Sequence, residues 1–391
     1  MNTRREKETT IIYNERFYLR MKTISWITAY YFLDVDLPII AKLKDEYIIH
    51  WQIIIGRSEK IDYENYVQML IPETGSNLHI TYVYEKYRHR NPRLFFTTRR
   101  IMKAAKSHKP AFYYISGFMD PWGVPLMKAM LPLEKVVVAW HNVSVPRGAS
   151  RSLLGNWTRG LIKKHMINIQ VFSKSQHAVL NTICSGKNVL EAPLALKDYG
   201  AASVKREDDD KKIVRFLNFG IIRDYKRLDL LIEAGELLYE RGYRNYRILI
   251  AGSSNEWESR YAPMIKHTEL FELQIRRIPN EEVPNLFAVS DYFVMPYQDI
   301  AQSGAITVAF QYNVPTIVSD IPPFEEFVED GKTGLTFKSE DAKDLADKMQ
   351  YVLDNHPKIS IELRNNQAEF VRKELSIESI IERYKVYFNK L

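Results

Sequence analysis

Apolar residues along this chain follow two alternating patterns. Short, largely apolar runs, which predict buried strands, alternate with longer stretches in which apolar residues recur every three or four positions, which predicts helices. One such series extends from residue 23 to residue 193, and a second from residue 213 to residue 337. Because neighbouring parallel strands are joined by helical crossovers, the alternation predicts two parallel sheets with helices on both faces.

The predicted strands are the most apolar segments of each series. In the first series they are Thr23–Ala29, Tyr47–Ile55, Leu78–Tyr84, Ala111–Ser116, Lys135–Trp140, Ile167–Phe172 and Val189–Pro193. In the second series they are Ile213–Phe219, Arg247–Ala251, Leu273–Ile278, Tyr292–Met295, Thr316–Ser319 and Leu335–Phe337. Helices are predicted between them, among them helices within Leu94–Ser107 and Leu153–His165, near Val124 and Tyr261, and from Leu37, Ser175, Glu281 and Ala305.

The two series divide the chain into two Rossmann-like domains. Residues 1–196 form the first domain and residues 213–374 the second. Residues 197–212 are small and charged and have no apolar period, which is typical of an interdomain linker. The last stretch, residues 375–391, is predicted to be a separate helix.

Composition is that of a soluble globular protein. The chain has 391 residues, 46% of them hydrophobic and 26% charged, which are ordinary values for a protein with a large core. Its one cysteine, Cys184, excludes an intramolecular disulfide and favours a reducing compartment. No stretch approaches the roughly 18 apolar residues of a membrane span. Residues 1–20 lack the apolar core of a secretion signal, so we expect a cytoplasmic protein with a charged tail before Met21, a candidate start.

Charge is unevenly divided between the two halves. Residues 1–200 carry 29 basic and 16 acidic residues, a net +13, whereas residues 201–391 carry a net −6. The basic residues are densest in Lys86–Lys109. Such a surface attracts anionic lipids, phosphorylated acceptors or nucleic acid, and a solvated helix face is the alternative interpretation.

The stretch Val214–Ala234 predicts a phosphate-binding loop. An apolar strand leads over Gly220 into a short basic loop and then into a helix. Unpaired N–H groups and the helix dipole favour an anion at a helix N-terminus, and Arg223 and Lys226 add full positive charges there. A diphosphate fits such a site, although an ordinary turn with two solvated basic residues has the same local pattern.

A second stretch, Asp291–Leu335, carries several motifs in a defined order. They are Met295-Pro296-Tyr297, Gln302-Ser303-Gly304, Asn313-Val314-Pro315, Ser319-Asp320, Glu326 and Asp330-Gly331-Lys332-Thr333-Gly334. In their order and spacing the chain resembles the retaining nucleotide-sugar glycosyltransferases of the GT-B fold, in particular glycosyltransferase family 4 (group 1) and its subgroup with a Gln-Ser-Gly loop. The Gly220–Lys226 segment is similar to the same family's donor-phosphate loop, G-x-x-x-x-x-K.

The resemblance implies an α/β protein of the GT-B fold. Two Rossmann-like, doubly wound domains would face a central cleft, and the C-terminal helix would cross back to the N-terminal domain. It implies hexosyl transfer, with retention of configuration, from a UDP- or GDP-sugar to a cell-surface glycan or lipid-linked acceptor. The nucleotide sugar is then a substrate, and neither a cofactor nor a metal is expected. We also expect the enzyme to lie peripherally on the cytoplasmic face of the inner membrane.

The resemblance also assigns candidate site residues. Three residues are candidates for catalysis: His141, which corresponds to a family His that contacts the transferred sugar, and Arg223 and Lys226, which stabilise the leaving diphosphate. The candidate donor-binding residues are Gly220, Ile278, Asp299, Gln302, Ser303, Gly304, Thr307 and Glu326. Glu326 matches a family acid near the donor loop, and helix capping is its alternative role.

Two features depart from the family pattern. Many members carry two Glu residues where this chain has Ile300 and Val308, and neither of these side chains can hydrogen-bond a sugar. Asp299 could supply a carboxylate instead. Ile221 stands where an Arg often follows the loop glycine, and Arg223 is the candidate replacement.

Other functions stay open at this stage. A catalytically silent nucleotide-sugar-binding protein is one alternative, because of Ile300 and Val308, and a GT-B nucleotide-sugar epimerase is another. Nucleic-acid binding is disfavoured because no base-reading module accompanies the basic residues. The Asp34-Val35-Asp36 segment has the form of a metal-binding motif but is far in sequence from the phosphate loop, so we expect it to cap a helix.

Overall fold

The computed structural model describes residues 21–57, 59, 62–71, 75–88, 91–117, 121–143, 153–206, 213–300 and 302–391. The predicted N-terminal tail and the acidic run Asp208–Asp210 of the predicted linker lie outside these residues. Among the helices of the described part, none is long and apolar enough to cross a membrane.

The first sheet consists of parallel strands in the order β3-β2-β1-β4-β5-β6-β7. They are β1 (Thr23–Ala29), β2 (Ile48–Ile55), β3 (Leu78–Tyr84), β4 (Phe112–Ser116), β5 (Val136–Ala139), β6 (Asn168–Val171) and β7 (Asn188–Glu191). The central strands are almost entirely buried because helices cover both faces. The strand order reverses between β1 and β4, and ligands of such sheets bind beyond the carboxyl ends of the strands at that point.

The second sheet repeats this arrangement, in the order β10-β9-β8-β11-β12-β13. Its parallel strands are β8 (Val214–Phe219), β9 (Tyr246–Ala251), β10 (Phe271–Gln274), β11 (Tyr292–Met295), β12 (Thr316–Ser319) and β13 (Leu335–Phe337). Here the order reverses between β8 and β11. The loops that follow β8 and β11 therefore lie side by side at the carboxyl edge of the sheet.

The helices of the described residues connect these strands. In the first half they are α1 (Leu33–Leu43), α2 (Tyr63–Leu70), α3 (Leu94–Ser107), α4 (Gly123–Met130), α5 (Leu153–His165) and α6 (Lys174–Ile183). In the second half they are α7 (Leu228–Glu240), α8 (Val283–Ala288), α9 (Gly304–Gln311), α10 (Pro322–Glu325), α11 (Ala342–Asn355), α12 (Lys358–Phe370) and α13 (Ile377–Phe388).

The last helix, α13, packs on the first sheet rather than on the second. Its residues Ile380, Tyr384 and Phe388 are buried in one core cluster with Trp26 and Tyr114. Burying three large side chains of this kind contributes several kcal/mol at about 1.5–3 kcal/mol each. Together with the two doubly wound sheets, this crossing confirms the predicted GT-B architecture.

Some predicted elements are wrong in detail. The strand expected at Leu273–Ile278 is β10, which begins two residues earlier because Phe271 pairs with Ile248 of β9 and ends at Gln274. Helix α2 was not predicted, since Tyr63 and Val67 are its only buried residues and give too short an apolar period. The helix expected near Tyr261 is a π-helical turn, Trp257–Tyr261, followed by a short 3-10 turn.

Candidate functional site

The loop after β8 is built around two glycines. Gly220 has a φ of +109° and Gly252 a φ of +157°, and a Cβ on Gly252 would lie 2.1 Å from the Gly220 carbonyl oxygen. A side chain is therefore excluded at Gly252, because its Cβ would clash with the backbone of Gly220 and because L-residues rarely adopt this φ. A Cβ on Gly220 would lie 2.9 Å from Lys226 Nζ, so the ammonium of Lys226 is folded back over the glycine. The predicted cation and the predicted glycine thus lie together.

Lys226 is a half-buried cation in this loop. Burial, and to a smaller extent the nearby charge of Arg223, lower the pKa of its ammonium to about 8. The ring of Tyr297 lies 5.4 Å from Nζ. Arg223 itself is exposed at the mouth of the loop. A bound anion would offset both the desolvation of Lys226 and its repulsion by Arg223.

The loop after β11 leads into helix α9 and lies against the Lys226 loop. The two loops are joined by a hydrogen bond from the Gln298 N–H to the Tyr225 carbonyl oxygen, 2.8 Å long. Ser303 caps α9, because its hydroxyl oxygen accepts from the Ile306 N–H at 3.3 Å. Thr307 is fully buried and donates its hydroxyl proton to the Gly304 carbonyl oxygen at 2.8 Å. The N-terminus of α9, with its N–H groups, and the side chain of Lys226 are therefore carried by neighbouring loops.

Lys197 adds a further cation to the start of α9. A Cβ on Gly304 would lie 3.9 Å from Lys197 Nζ, and Lys197 Nζ lies 3.8 Å from the Asp34 carboxylate of the first domain. Sequence analysis placed Lys197 in the linker and did not assign it to the site. No local motif marks it, because only the fold brings the linker against the Gln-Ser-Gly loop.

Gln302 joins the second domain to the end of β5. Its side-chain N–H donates to the His141 carbonyl oxygen at 3.1 Å. Its other amide atom, Oε1, is buried and makes no hydrogen bond within the part of the chain that the structure describes. Two of the predicted site residues, from opposite domains, are therefore in direct contact.

His141 is buried between two aromatic rings. It stacks on Phe32 with ring centroids 3.4 Å apart and on Phe172 at 4.3 Å. Its Nε2 lies 3.1 Å from the Ser116 hydroxyl oxygen, whereas Nδ1 makes no hydrogen bond to the described residues. Burial lowers the pKa of the imidazole to about 3, so His141 is neutral at pH 7.

Glu326 connects the two domains rather than lying alone near the donor loop. Its carboxylate oxygens accept hydrogen bonds from the Lys174 and Ser175 N–H groups, each 2.7 Å long. These are N–H groups at the first turn of α6, where an anion is stabilised by the helix dipole. Glu326 therefore caps a helix of the first domain, and a contact with the donor stays a prediction.

The remaining candidates occupy less central positions. Ile278 lies four residues beyond the end of β10 and packs on the core that surrounds α9. Asp299 is half-buried. Ile300 and Val308, which stand where many family members have Glu, are buried in that same core and add no polar group to the cleft.

The expected capping role of Asp34 and Asp36 is wrong. Helix α1 has no side-chain cap at its N-terminus, and both residues lie inside its first turn. Asp34 instead accepts from the Tyr66 hydroxyl at 2.9 Å. Asp36 is fully buried and accepts from the Trp26 indole and the Thr28 hydroxyl. Across the described residues, no group of three or more His, Cys, Asp or Glu side chains is arranged to hold a metal ion.

Comparison with known protein families finds a match to the second domain. Residues 202–374 match the family of glycosyl transferases group 1. The second half of this chain is therefore similar to the glycosyl transferases of group 1. A D-inositol 3-phosphate glycosyltransferase of Corynebacterium aurimucosum is 27% identical over 155 residues, which are 38% of this chain. The matched part spans about a third, 36%, of the length of that relative.

Solved structures resemble this chain over both domains. A glycosyltransferase of Rickettsia africae superposes with a TM-score of 0.69 at 14% identity, covering 95% of this chain and 98% of that one. The HepE protein of Anabaena, in complex with UDP and glucose, superposes with a TM-score of 0.67 at 10% identity, covering 95% and 100%. At these identities the likeness establishes the GT-B fold.

Proposed function

We propose that this protein is a retaining hexosyltransferase of the family 4 type, which moves a sugar from a UDP- or GDP-sugar to a glycan or a lipid-linked acceptor. The observation that carries the proposal is the placement of Lys226 over Gly220, beside Arg223 and next to the N-terminus of α9. Two cations and a set of helix N–H groups at the switch point of a doubly wound sheet suit a diphosphate.

The proposed reaction depends on stabilising the nucleoside diphosphate as it leaves the sugar. As the bond between the anomeric carbon and the β-phosphate oxygen breaks, Lys226, Arg223 and the α9 N–H groups take up the developing negative charge. The acceptor oxygen bonds to the same face of that carbon, and its proton passes to the departing phosphate oxygen. The products are the glycosylated acceptor and the nucleoside diphosphate. No step in this scheme needs a metal ion or a cofactor.

An aromatic surface beside His141 supports a carbohydrate acceptor. From Phe32, which stacks on His141, the rings continue to Tyr31 at 4.7 Å, Tyr30 at 5.2 Å and Tyr63 at 5.8 Å, each distance joining successive ring centroids. Tyr31 is 41% exposed. Aromatic rings at the carboxyl edge of the first sheet suit the apolar C–H faces of a sugar chain.

Two helices of the first domain support the proposal that the protein acts at an anionic membrane on the cytoplasmic side. Helix α3 exposes Arg99, Arg100, Lys103 and Lys106 together with Phe96, which is 70% exposed. Helix α5 exposes Leu153 (90%) and Trp157 (47%) and ends in Lys163, Lys164 and His165. Helix α4 packs between these two. Basic residues mixed with exposed apolar ones are typical of peripheral membrane binding.

A catalytically silent binding protein is the second candidate, favoured by the buried Ile300 and Val308. Turnover of a panel of UDP- and GDP-sugars, measured as release of the nucleoside diphosphate with and without EDTA, separates the two. We expect turnover of at least one donor, unchanged by EDTA, and a product that keeps the donor's anomeric configuration. Binding of a donor without release of diphosphate would favour the silent protein, and loss of turnover in EDTA that Mg²⁺ or Mn²⁺ restores would refute the metal-free scheme.

A further inference from the structure

One lysine of the linker, Lys197, is in contact with both domains. Its Nζ lies 3.8 Å from Asp34 Oδ2, in the first turn of α1. A Cβ on Gly304 would lie 3.8 Å from Lys197 Cε and 3.9 Å from its Nζ, so the same side chain packs against the first residue of α9. The ammonium of Lys197 therefore lies between a carboxylate of the first domain and the helix N-terminus of the second.

The backbone of Lys197 is attached to the second domain. Leu194 is still buried in the core of the first sheet, whereas Tyr199 packs on the core that surrounds α9. The Tyr199 N–H also donates to the hydroxyl oxygen of Tyr312, the residue that follows α9, at 2.9 Å. Lys197 is thus carried by the domain of the proposed donor site, and its ion pair with Asp34 crosses to the other domain.

The charge of Lys197 is only weakly compensated in this position. A helix N-terminus carries the positive end of the helix dipole, which repels an ammonium group. Asp34 offsets this repulsion in part, because the distance of 3.8 Å is longer than a hydrogen bond and the side chains of Lys197 and Asp34 are 30% and 51% exposed to water. An anion bound at the start of α9 would therefore attract Lys197 more strongly than Asp34 does.

Asp34 is held in place from its other side. The Tyr66 hydroxyl on α2 donates to Asp34 Oδ1 at 2.9 Å, which leaves Oδ2 facing Lys197. Burial, together with the negative charge of Asp34, raises the pKa of Tyr66, so this hydroxyl keeps its proton and remains a donor. Asp34 also follows Phe32 closely in the chain, at the aromatic surface proposed for the acceptor. Lys197 consequently joins the acceptor side of the cleft to the donor side.

We propose that Lys197 is a cation shared between Asp34 and the donor diphosphate. In the free protein it pairs with Asp34, and when a diphosphate binds at the start of α9 its ammonium donates to a phosphate oxygen instead. The exchange releases Asp34 Oδ2, which can then accept a hydrogen bond from a hydroxyl group of the acceptor. Lys197 thereby couples the two substrate sites. The identity of the diphosphate and of the acceptor rests on the proposed function, whereas the competition between Asp34 and an anion does not.

A double-mutant cycle on anion affinity tests this exchange. The Kd values of UDP, GDP and inorganic pyrophosphate are measured by calorimetry at one ionic strength. Lys197→Met removes the cation and should weaken binding about tenfold. Asp34→Asn removes the competing carboxylate and should strengthen binding about two- to fivefold. In the Lys197→Met background Asp34→Asn should change nothing, because no ammonium remains to be released, whereas a general effect of removing one negative charge would persist there.

Two further variants serve as controls. Lys205→Met removes an exposed lysine of the same linker and should leave all three Kd values unchanged. Lys197→Arg keeps the charge and should retain most of the affinity.

The possible outcomes separate this proposal from the proposed function. Wild-type affinity in Lys197→Met, or an effect of Asp34→Asn that is equal with and without Lys197, would overturn the exchange even if donors are turned over. The expected cycle with pyrophosphate, in a protein that turns over no donor, would support the exchange and refute the proposed function. A wild-type protein that binds none of the three anions would refute both.

Discussion

Lys226 shows how a single residue can combine burial with charge. The ammonium lies over Gly220, whose φ of +109° favours glycine, and burial lowers its pKa to about 8. Below that pH the free protein holds a poorly solvated cation, which is the condition under which an anionic ligand gains most. The loop is therefore suited to a ligand that carries negative charge of its own.

A pH dependence of donor binding follows from this pKa. Above pH 8 Lys226 of the free protein loses its proton, so the affinity for UDP or GDP should weaken, by up to about tenfold for each pH unit. Calorimetric titration of the nucleotides between pH 6.5 and 9.5, chosen as a range of about 1.5 units on each side, measures this directly.

Two variants serve as controls for that titration. Lys226→Arg keeps its charge across the whole range and should bind with little change in affinity at alkaline pH. Lys226→Ala should bind weakly at every pH. An affinity of wild type that stays constant up to pH 9.5 would show that the charge of Lys226 does not contribute to binding.

At the residue scale, the sequence predicts what local motifs encode. Gly220, Lys226 and the Gln-Ser-Gly loop could be found because strand, glycine, cation and helix follow one another in the chain. Lys197 and Ser116 could not, because only the fold brings Lys197 against Gly304, 107 residues away, and Ser116 against His141, 25 residues away. The capping role expected of Asp36 is wrong because its carboxylate is turned to Trp26 and Thr28 of β1 instead.

Helix α6 is the element whose start depends most clearly on the other domain. Ser173, the residue before the helix, caps it by accepting a hydrogen bond from the Gln176 N–H at 3.1 Å. Glu326 of the second domain accepts from the N–H groups of Lys174 and Ser175. A charged capping side chain contributes both hydrogen bonds and a favourable interaction with the helix dipole.

Removing this cap should weaken the contact between the domains. Glu326→Ala loses two charge-assisted hydrogen bonds, which we expect to cost about 1–3 kcal/mol and to lower Tm by a few degrees. Glu325→Ala is the matched control, because Glu325 is its exposed neighbour on α10. Differential scanning calorimetry of the two variants measures the effect, and equal Tm values would contradict a stabilising role of Glu326.

At the element scale, strands are predicted better than short helices. Buried parallel strands are continuous apolar runs, so most of the strand bounds lie within one or two residues of the structure. The edge strand β10 is the exception, since its register is set by pairing with β9 rather than by its own apolar pattern. Asn313 ends α9 with a φ of +51°, a conformation that Asn adopts more readily than most residues, which explains why it can replace the family glycine.

The whole molecule has a basic first half and an acidic second half, and this division predicts where it acts. Binding to vesicles of anionic lipid should be measurable at low salt and weaken as salt is raised, because each basic residue near such a surface contributes on the order of 1 kcal/mol within a Debye length. Changing Arg99, Arg100, Lys103 and Lys106 to Gln should reduce this binding while donor turnover is retained.

A control variant with the same change in net charge shows whether vesicle binding depends on where the basic residues lie or only on the total charge. Lys332, Lys338, Lys343 and Lys358 are exposed on the second domain, and changing these four to Gln should leave vesicle binding intact. Sedimentation with neutral and anionic vesicles measures both variants. Equal binding to the two kinds of vesicle, or equal loss in the two variants, would show that helix α3 is a solvated surface.

The central claim, that the loop after β8 holds the diphosphate of a nucleotide-sugar donor, is tested most directly by the turnover of Lys226→Ala. We predict that its kcat/KM for the donor falls at least about tenfold, equivalent to about 1.4 kcal/mol of transition-state stabilisation, while its Tm stays close to that of wild type. Lys343→Ala, an exposed lysine of the same domain, should turn over the donor as wild type does. Undiminished turnover by a folded Lys226→Ala protein would contradict the account.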